Sequence, residues 1–124
     1  MNDCIIGIGS NINPENNIQK SLALLEQDVE IIATSSWVKT APIGITNQND
    51  FINGAVRIRT ILSKDDLINY LKKIENKLGR DRSLPKFGPR TIDLDIVVWN
   101  KIIIDKDYYT RDFIKNAVNE LWQD

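Results

Sequence analysis

Apolar residues in this chain switch between every-second and every-third-or-fourth spacing, and that switching restricts the fold more than any other feature of the sequence. Residues 3 to 8, Asp3-Cys4-Ile5-Ile6-Gly7-Ile8, read as a strand that turns at Gly9-Ser10-Asn11. Asn13-Pro14 then supplies a cap position followed by proline at the first helical residue, and Ile18, Leu22 and Leu25 continue at helical spacing until Gln27-Asp28. Val29 to Thr40, rich in Ile, Val, Thr and Trp, reads as a second strand bent around Ser35-Ser36. Phe51 to Thr60 is the third strand. Ser63-Lys64-Asp65-Asp66 resembles a capping box, and Leu67, Leu71, Ile74 and Leu78 form the apolar stripe of a second helix that stops at Gly79. Thr91 to Trp99 reads as a fourth strand, Asn100-Lys101 as a tight turn into Ile102-Ile103-Ile104, and Thr110 to Trp122 as a last helix. Phe113, Ile114, Ala117, Val118 and Leu121 share one face of that helix.

The resulting order specifies the α+β class: a ferredoxin-like βαββαβ antiparallel sheet with helices on one face, plus a C-terminal hairpin and helix. At 124 residues the chain is expected to form one domain spanning 1–124, large enough to bury its core without disulfides or a structural metal. One of the two loops is longer than a hairpin needs. Ala41 to Asp50 spans ten residues where a hairpin needs two to five, which marks it as a binding loop, and Arg80 to Pro89 feeds the fourth strand.

Composition removes several function classes. A net charge of −1 lacks the basic excess that nucleic acid or anionic membrane requires, so any charge-driven chemistry must be local. The ferredoxin-like RNA-binding domains are set aside on the same ground, and because no aromatic-rich Arg/Lys-Gly-Phe strand motif is present. The absence of histidine removes the usual zinc ligand and general base, and with them zinc hydrolases and Ser-His triads. The single cysteine, Cys4, sits in an apolar run and reads as an inert core thiol suited to a reducing compartment. That run is too short for a membrane span and lacks signal-peptide flanks, so the cytoplasm is the expected location.

The fourth strand carries the chemistry. In Gly88-Pro89-Arg90-Thr91-Ile92-Asp93-Leu94-Asp95-Ile96-Val97-Val98-Trp99, alternation puts Ile92, Leu94, Ile96 and Val98 on one side and Thr91, Asp93 and Asp95 on the other. The two acids point the same way with Cα atoms about 6.5 to 7 Å apart at roughly 3.3 Å of rise per residue. Like charges held so close resist joint ionisation unless a metal, a basic cluster or shared protons intervene. Arg80, Arg82, Lys86 and Arg90 all lie in the loop leading into the strand. Magnesium binds through one or two carboxylates plus phosphate oxygens, and arginine forks suit the remaining oxygens, so the arrangement fits a nucleoside triphosphate. The competing possibility is an ion network in which Arg80 and Arg90 neutralise Asp93 and Asp95. A phosphatase of the haloacid-dehalogenase type is disfavoured because the apolar run follows the acids instead of preceding them. A calcium loop lacks its further ligands, and no phosphate-binding Gly-x-x-x-x-Gly-Lys-Ser/Thr loop is present.

The segment Phe87 to Val97 resembles the signature of the 6-hydroxymethyl-7,8-dihydropterin pyrophosphokinase family of folate biosynthesis. Ile8-Gly9-Ser10-Asn11, Thr40-Ala41-Pro42-Ile43-Gly44, Asp50 to Val56, and Ile74-Glu75 with Gly79-Arg80 resemble further blocks of that family in the same order. The resemblance implies transfer of diphosphate from ATP to a pterin alcohol, with AMP released. It implies that Asp93 and Asp95 bind two Mg2+ ions on the ATP phosphates. Arg80 and Arg90 then lie near the triphosphate as catalytic groups, and Arg82 and Glu75 join the ATP site. It further implies that Asn53 hydrogen-bonds the pterin edge, that backbone groups of Thr40, Ala41 and Ile43 line that pocket, and that Phe51 stacks on the ring. Phe87 stands where a tryptophan often precedes the Gly-Pro-Arg.

The C-terminal part departs from the pattern. Family members carry a Pro-His segment followed by basic residues that helps hold ATP, whereas here Asp105-Lys106-Asp107-Tyr108-Tyr109-Thr110 runs almost directly into Arg111-Asp112-Phe113. The latter resembles the family's Arg-x-Phe, which implies Phe113 on the second face of the pterin and Arg111 near the phosphates. Small-molecule substrates and a monomer are the expectation. The alternative is a catalytically weakened family member that serves as a pterin- or nucleotide-binding module.

Overall fold

The computed structural model describes residues 1–85 and 87–122; Lys86 of the basic loop lies outside them. The elements are β1 (Asn2–Ser10), α1 (Pro14–Asp28), β2 (Glu30–Thr34), β3 (Val38–Thr40), β4 (Phe51–Thr60), α2 (Lys64–Lys77), β5 (Asp93–Trp99), β6 (Ile102–Ile103), α3 (Asp107–Thr110) and α4 (Asp112–Leu121). The strands form one antiparallel sheet in the order β2-β4-β1-β5-β6, with β3 also paired to β4. With β2 and β3 taken together as one interrupted strand, this is the ferredoxin-like arrangement.

Local chemistry explains the element ends. The Ser63 hydroxyl accepts the Asp66 N–H at 3.2 Å, which caps α2. Gly79, at φ +93°, takes the left-handed turn that ends the helix. Asn100 and Lys101, at φ 47° and 69°, make the tight turn between β5 and β6. Asn13 sits at the head of α1, but in a left-handed conformation with no side-chain capping bond, so Pro14 starts that helix without its help.

Cys4, Ile6 and Ile8 of β1 and Val56 and Ile58 of β4 pack with Ile18 and Leu25 of α1 and Leu67, Leu71 and Ile74 of α2. A second, smaller cluster lies across the sheet, where Ala117, Val118 and Leu121 of α4 cover Ile5, Ala55, Val97 and Val98. The helices therefore divide: α1 and α2 share one face and α4 takes the other.

Three sequence expectations change. Val29 to Thr40 is two strands, separated where the backbone leaves regular pairing at 35–37. The last helical stretch is likewise broken, into a single turn, α3, and then α4 from Asp112. Val98 does not share the side of Leu94 and Ile96. The β1–β5 register passes from Ile6↔Ile96 to Ile5↔Val98, so Val97 is an extra residue and the alternation resets after it. Both valines consequently face α4.

Candidate active site

On the α4 side of the sheet, a cleft of about 130 Å³ opens between the ends of β1, β4 and β5, the 41–50 loop, the 80–92 connection and the α3–α4 segment. Its floor is built by register. Gly9 lies between Asn53 of β4 and Asp93 of β5, and Gly7 lies between Ala55 and Asp95. Side chains at these positions point to one face, so a pair of glycines leaves the centre bare while an amide and two carboxylates rise around it.

Thr40, Ala41, Ile43, Phe51 and Asn53 line one side of this cleft. Thr40 pairs with Phe51 across β3–β4, and the Asn53 amide donates from Nδ2 to Thr40 Oγ1 at 2.6 Å. Phe113 and Arg111 line the α4 side. Asp93, Asp95 and Arg90 complete the wall.

Beneath the acids lies an ion network built on Glu75, which is 3% exposed. Its Oε2 accepts Arg80 Nη1 at 2.7 Å and the Leu94 N–H at 2.9 Å, while Oε1 accepts Arg82 Nη2 at 3.1 Å. The bond to Leu94 holds the backbone between the two aspartates. Arg80 Nη1 reaches on to Asp93 Oδ1 at 2.9 Å, and Arg90 Nε approaches the same oxygen at 3.4 Å. Among the described residues, Arg80 Nε is buried without a hydrogen-bond partner. Glu75, Arg80 and Arg82 thus stand behind the cleft wall rather than in it.

The two aspartates differ. Asp93 has two arginines, yet burial outweighs them and raises its pKa above the usual carboxylate value. Asp95 has no basic group within ion-pair distance among the described residues. Crowding by surrounding protein, then the negative charges of Asp93, Glu75 and Asp105, push it up to about 7. Its side chain still opens to solvent, so this is the crowding of a recess and not of a sealed core.

Several residues here were given no role by the sequence. Asn11, 2% exposed, accepts the Arg90 N–H on Oδ1 at 2.8 Å and donates from Nδ2 to Gln48 Oε1 at 2.9 Å and to the Asn49 carbonyl at 3.0 Å. Gln48 Nε2 in turn donates to the Ile45 carbonyl at 2.7 Å and to the Phe87 carbonyl at 2.6 Å. The Gln48 amide latches the 41–50 loop to the basic loop directly, and the Asn11 amide ties both segments to the end of β1. Gly44, at φ +82°, lies against the Phe87 ring, which a Cβ would approach to 3.1 Å. Asp105 and Asp107 also line the cleft. Asp105 Oδ1 accepts the Asp107 N–H at 2.9 Å, and Asp107 sits 3.9 Å from Arg111.

A profile of the family described as 7,8-dihydro-6-hydroxymethylpterin-pyrophosphokinase (HPPK) matches residues 5–123. A Bacillus subtilis protein named 2-amino-4-hydroxy-6-hydroxymethyldihydropteridine pyrophosphokinase is 39% identical, over 98% of this chain and 79% of its own length. A Haemophilus influenzae protein of the same name is 34% identical, over 96% of this chain and 81% of its own length. An Arabidopsis thaliana folate synthesis bifunctional protein is 38% identical over 84% of this chain, which spans only 22% of that protein. The profile match and the near-full-length bacterial relatives establish that the chain belongs to the 7,8-dihydro-6-hydroxymethylpterin-pyrophosphokinase family.

Proposed function

We propose that this chain transfers diphosphate from ATP to the hydroxymethyl group of 6-hydroxymethyl-7,8-dihydropterin, releasing AMP. The hydroxymethyl oxygen forms a bond to the β-phosphorus, the bond from that phosphorus to the bridging oxygen of AMP breaks, and the hydroxyl proton is lost. One observation carries the reading. Among the described residues, Asp95 stands without a cationic partner beside an arginine-held Asp93, in the same cleft as an aromatic and amide wall. A purely structural ion network would have neutralised both acids.

The residues present fit magnesium. Asp93 and Asp95 present two neighbouring carboxylates on one face of β5 and leave other positions to phosphate and water, as magnesium prefers. Asp93 and Asp95 would hold two such ions. Bound there, magnesium supplies neutralisation of the charge that builds on the phosphate oxygens. The chain's own residues do the rest. Arg90 presents a guanidinium from the cleft wall and Arg111 adds one from the head of α4, while Arg80 and Arg82, behind the wall, hold Glu75, and Arg80 also holds Asp93. Phe51 and Phe113 offer ring faces and Asn53 an amide edge to a flat polar heterocycle. The latched loops exclude water that would otherwise consume ATP. The site is assembled from one chain, which suits a monomer. Burial and then the charge of Asp3 push the Cys4 thiol up to about 12, leaving it inert, and an unpaired thiol suits the cytoplasm. No helix among the described residues is long and apolar enough to cross a membrane.

A second reading has one observation in its favour. Asp105 and Asp107 line the cleft, and their charge opposes a triphosphate. On that reading the chain binds pterin or nucleotide with little turnover. Incubation with ATP, the pterin alcohol and magnesium separates the two. AMP formed in step with pterin diphosphate supports the transferase, and saturable binding without AMP supports the module.

A further inference from the structure

Asn53 is half engaged. One hydrogen of its amide goes to Thr40 Oγ1, while Oδ1 accepts no hydrogen bond among the described residues and lies against Gly9, whose missing Cβ would fall 2.6 Å from it. Gly9 is directly opposite Asn53 in the β1–β4 register and is in ordinary extended backbone, so its bareness serves close approach and not an unusual turn. An asparagine amide reads a heterocycle only if its donor and acceptor ends are held in one order, since a half-turn exchanges them.

We propose that the Thr40 hydroxyl and the bare Cα of Gly9 are positioning elements for the Asn53 amide. Together they select ligands whose edge carries a hydrogen-bond donor beside an acceptor. Thr40 fixes which end of the amide faces β3. Gly9 leaves the space in which the carbonyl end stays free for a ligand. The idea rests on the reading of Asn53 as the pterin-binding amide and adds to it a role for the side chain of Thr40, beyond the backbone contact implied by the sequence. The Cβ of an alanine at position 9 would meet the far end of a side chain, not backbone, so the strand can stay in place while the amide moves.

The test uses four variants of the whole chain: Thr40→Val, Thr40→Ser, Gly9→Ala and Asn53→Ala. Binding is measured by fluorescence with 6-hydroxymethylpterin as a non-reacting probe, nucleotide affinity by calorimetry with α,β-methylene-ATP, and KM and kcat by AMP release. Thr40→Val and Gly9→Ala are expected to weaken pterin binding and raise its KM about tenfold, roughly one lost hydrogen bond. The nucleotide affinity and kcat should stay within about twofold, and Thr40→Ser should restore pterin binding. Wild-type pterin affinity in both Thr40→Val and Gly9→Ala would overturn the proposal, as would equal losses in Thr40→Ser and Thr40→Val. Wild-type affinity in Asn53→Ala would instead overturn the reading of Asn53 on which it rests.

Discussion

Asp95 is the residue whose proton the cleft controls. With its pKa raised from 3.8 to about 7, the folded chain holds a proton between those values that the unfolded chain has released. Stability contributed by this group therefore falls as pH rises through that window and is lowest above it. Asp95→Asn should remove this slope, so that the ligand-free variant melts at or above the wild-type temperature at pH 8 while AMP formation drops at least about a hundredfold. A divalent cation must displace the same proton, so Mg2+ affinity should weaken as pH falls below about 7, read by calorimetry in two buffers of different ionisation heat. The shared orientation of Asp93 and Asp95 was legible because alternation alone aims two acids of one strand one way, and Arg90 lies three positions before Asp93 in the connection that leads into it. The side-chain role of Thr40 and the latch at Gln48 were not legible. Each depends on where another segment arrives, and Gln48 reaches a carbonyl thirty-nine positions away.

The elements carry the acids into register and the loops over them. At the end of β5, the carbonyl of the bulged Val97 accepts the N–H of Ile104 at 2.9 Å and that of Asp105 at 3.4 Å, which draws the start of the α3 segment to the cleft. The apolar run Ile96-Val97-Val98 gives no sign of this, because an uninterrupted run fits either register and only its pairing with β1 fixes the extra residue. Gln48→Ala should release the 41–50 loop from the basic loop. Faster amide exchange in 41–50 and about a tenfold loss in kcat/KM are expected, with melting temperature little changed. Ser63→Ala removes the α2 cap and should lower stability by about 1 kcal/mol without altering KM for either substrate, by denaturant unfolding and steady-state kinetics.

At the scale of the whole chain, helical and strand periodicities foretold the ferredoxin-like sheet and its element order, because each element presents one apolar face. They did not foretell that α4 would take the face opposite α1 and α2. Ala117, Val118 and Leu121 form a stripe that suits either side, and only its packing on Ile5, Ala55, Val97 and Val98 fixes the face. The division matters, since α1 and α2 seal one face while α4 closes only part of the other, where the cleft opens. Leu71→Ala in the sealed core should cost about 2–5 kcal/mol of stability, with kcat at low temperature retained. The paired acids Asp93 and Asp95 are proposed to hold a divalent cation. Calorimetric titration of Mg2+ into the chain saturated with α,β-methylene-ATP tests it most directly. Saturable binding in the wild type that weakens at least about thirtyfold in Asp95→Asn is the predicted result, and equal binding in both proteins would contradict it.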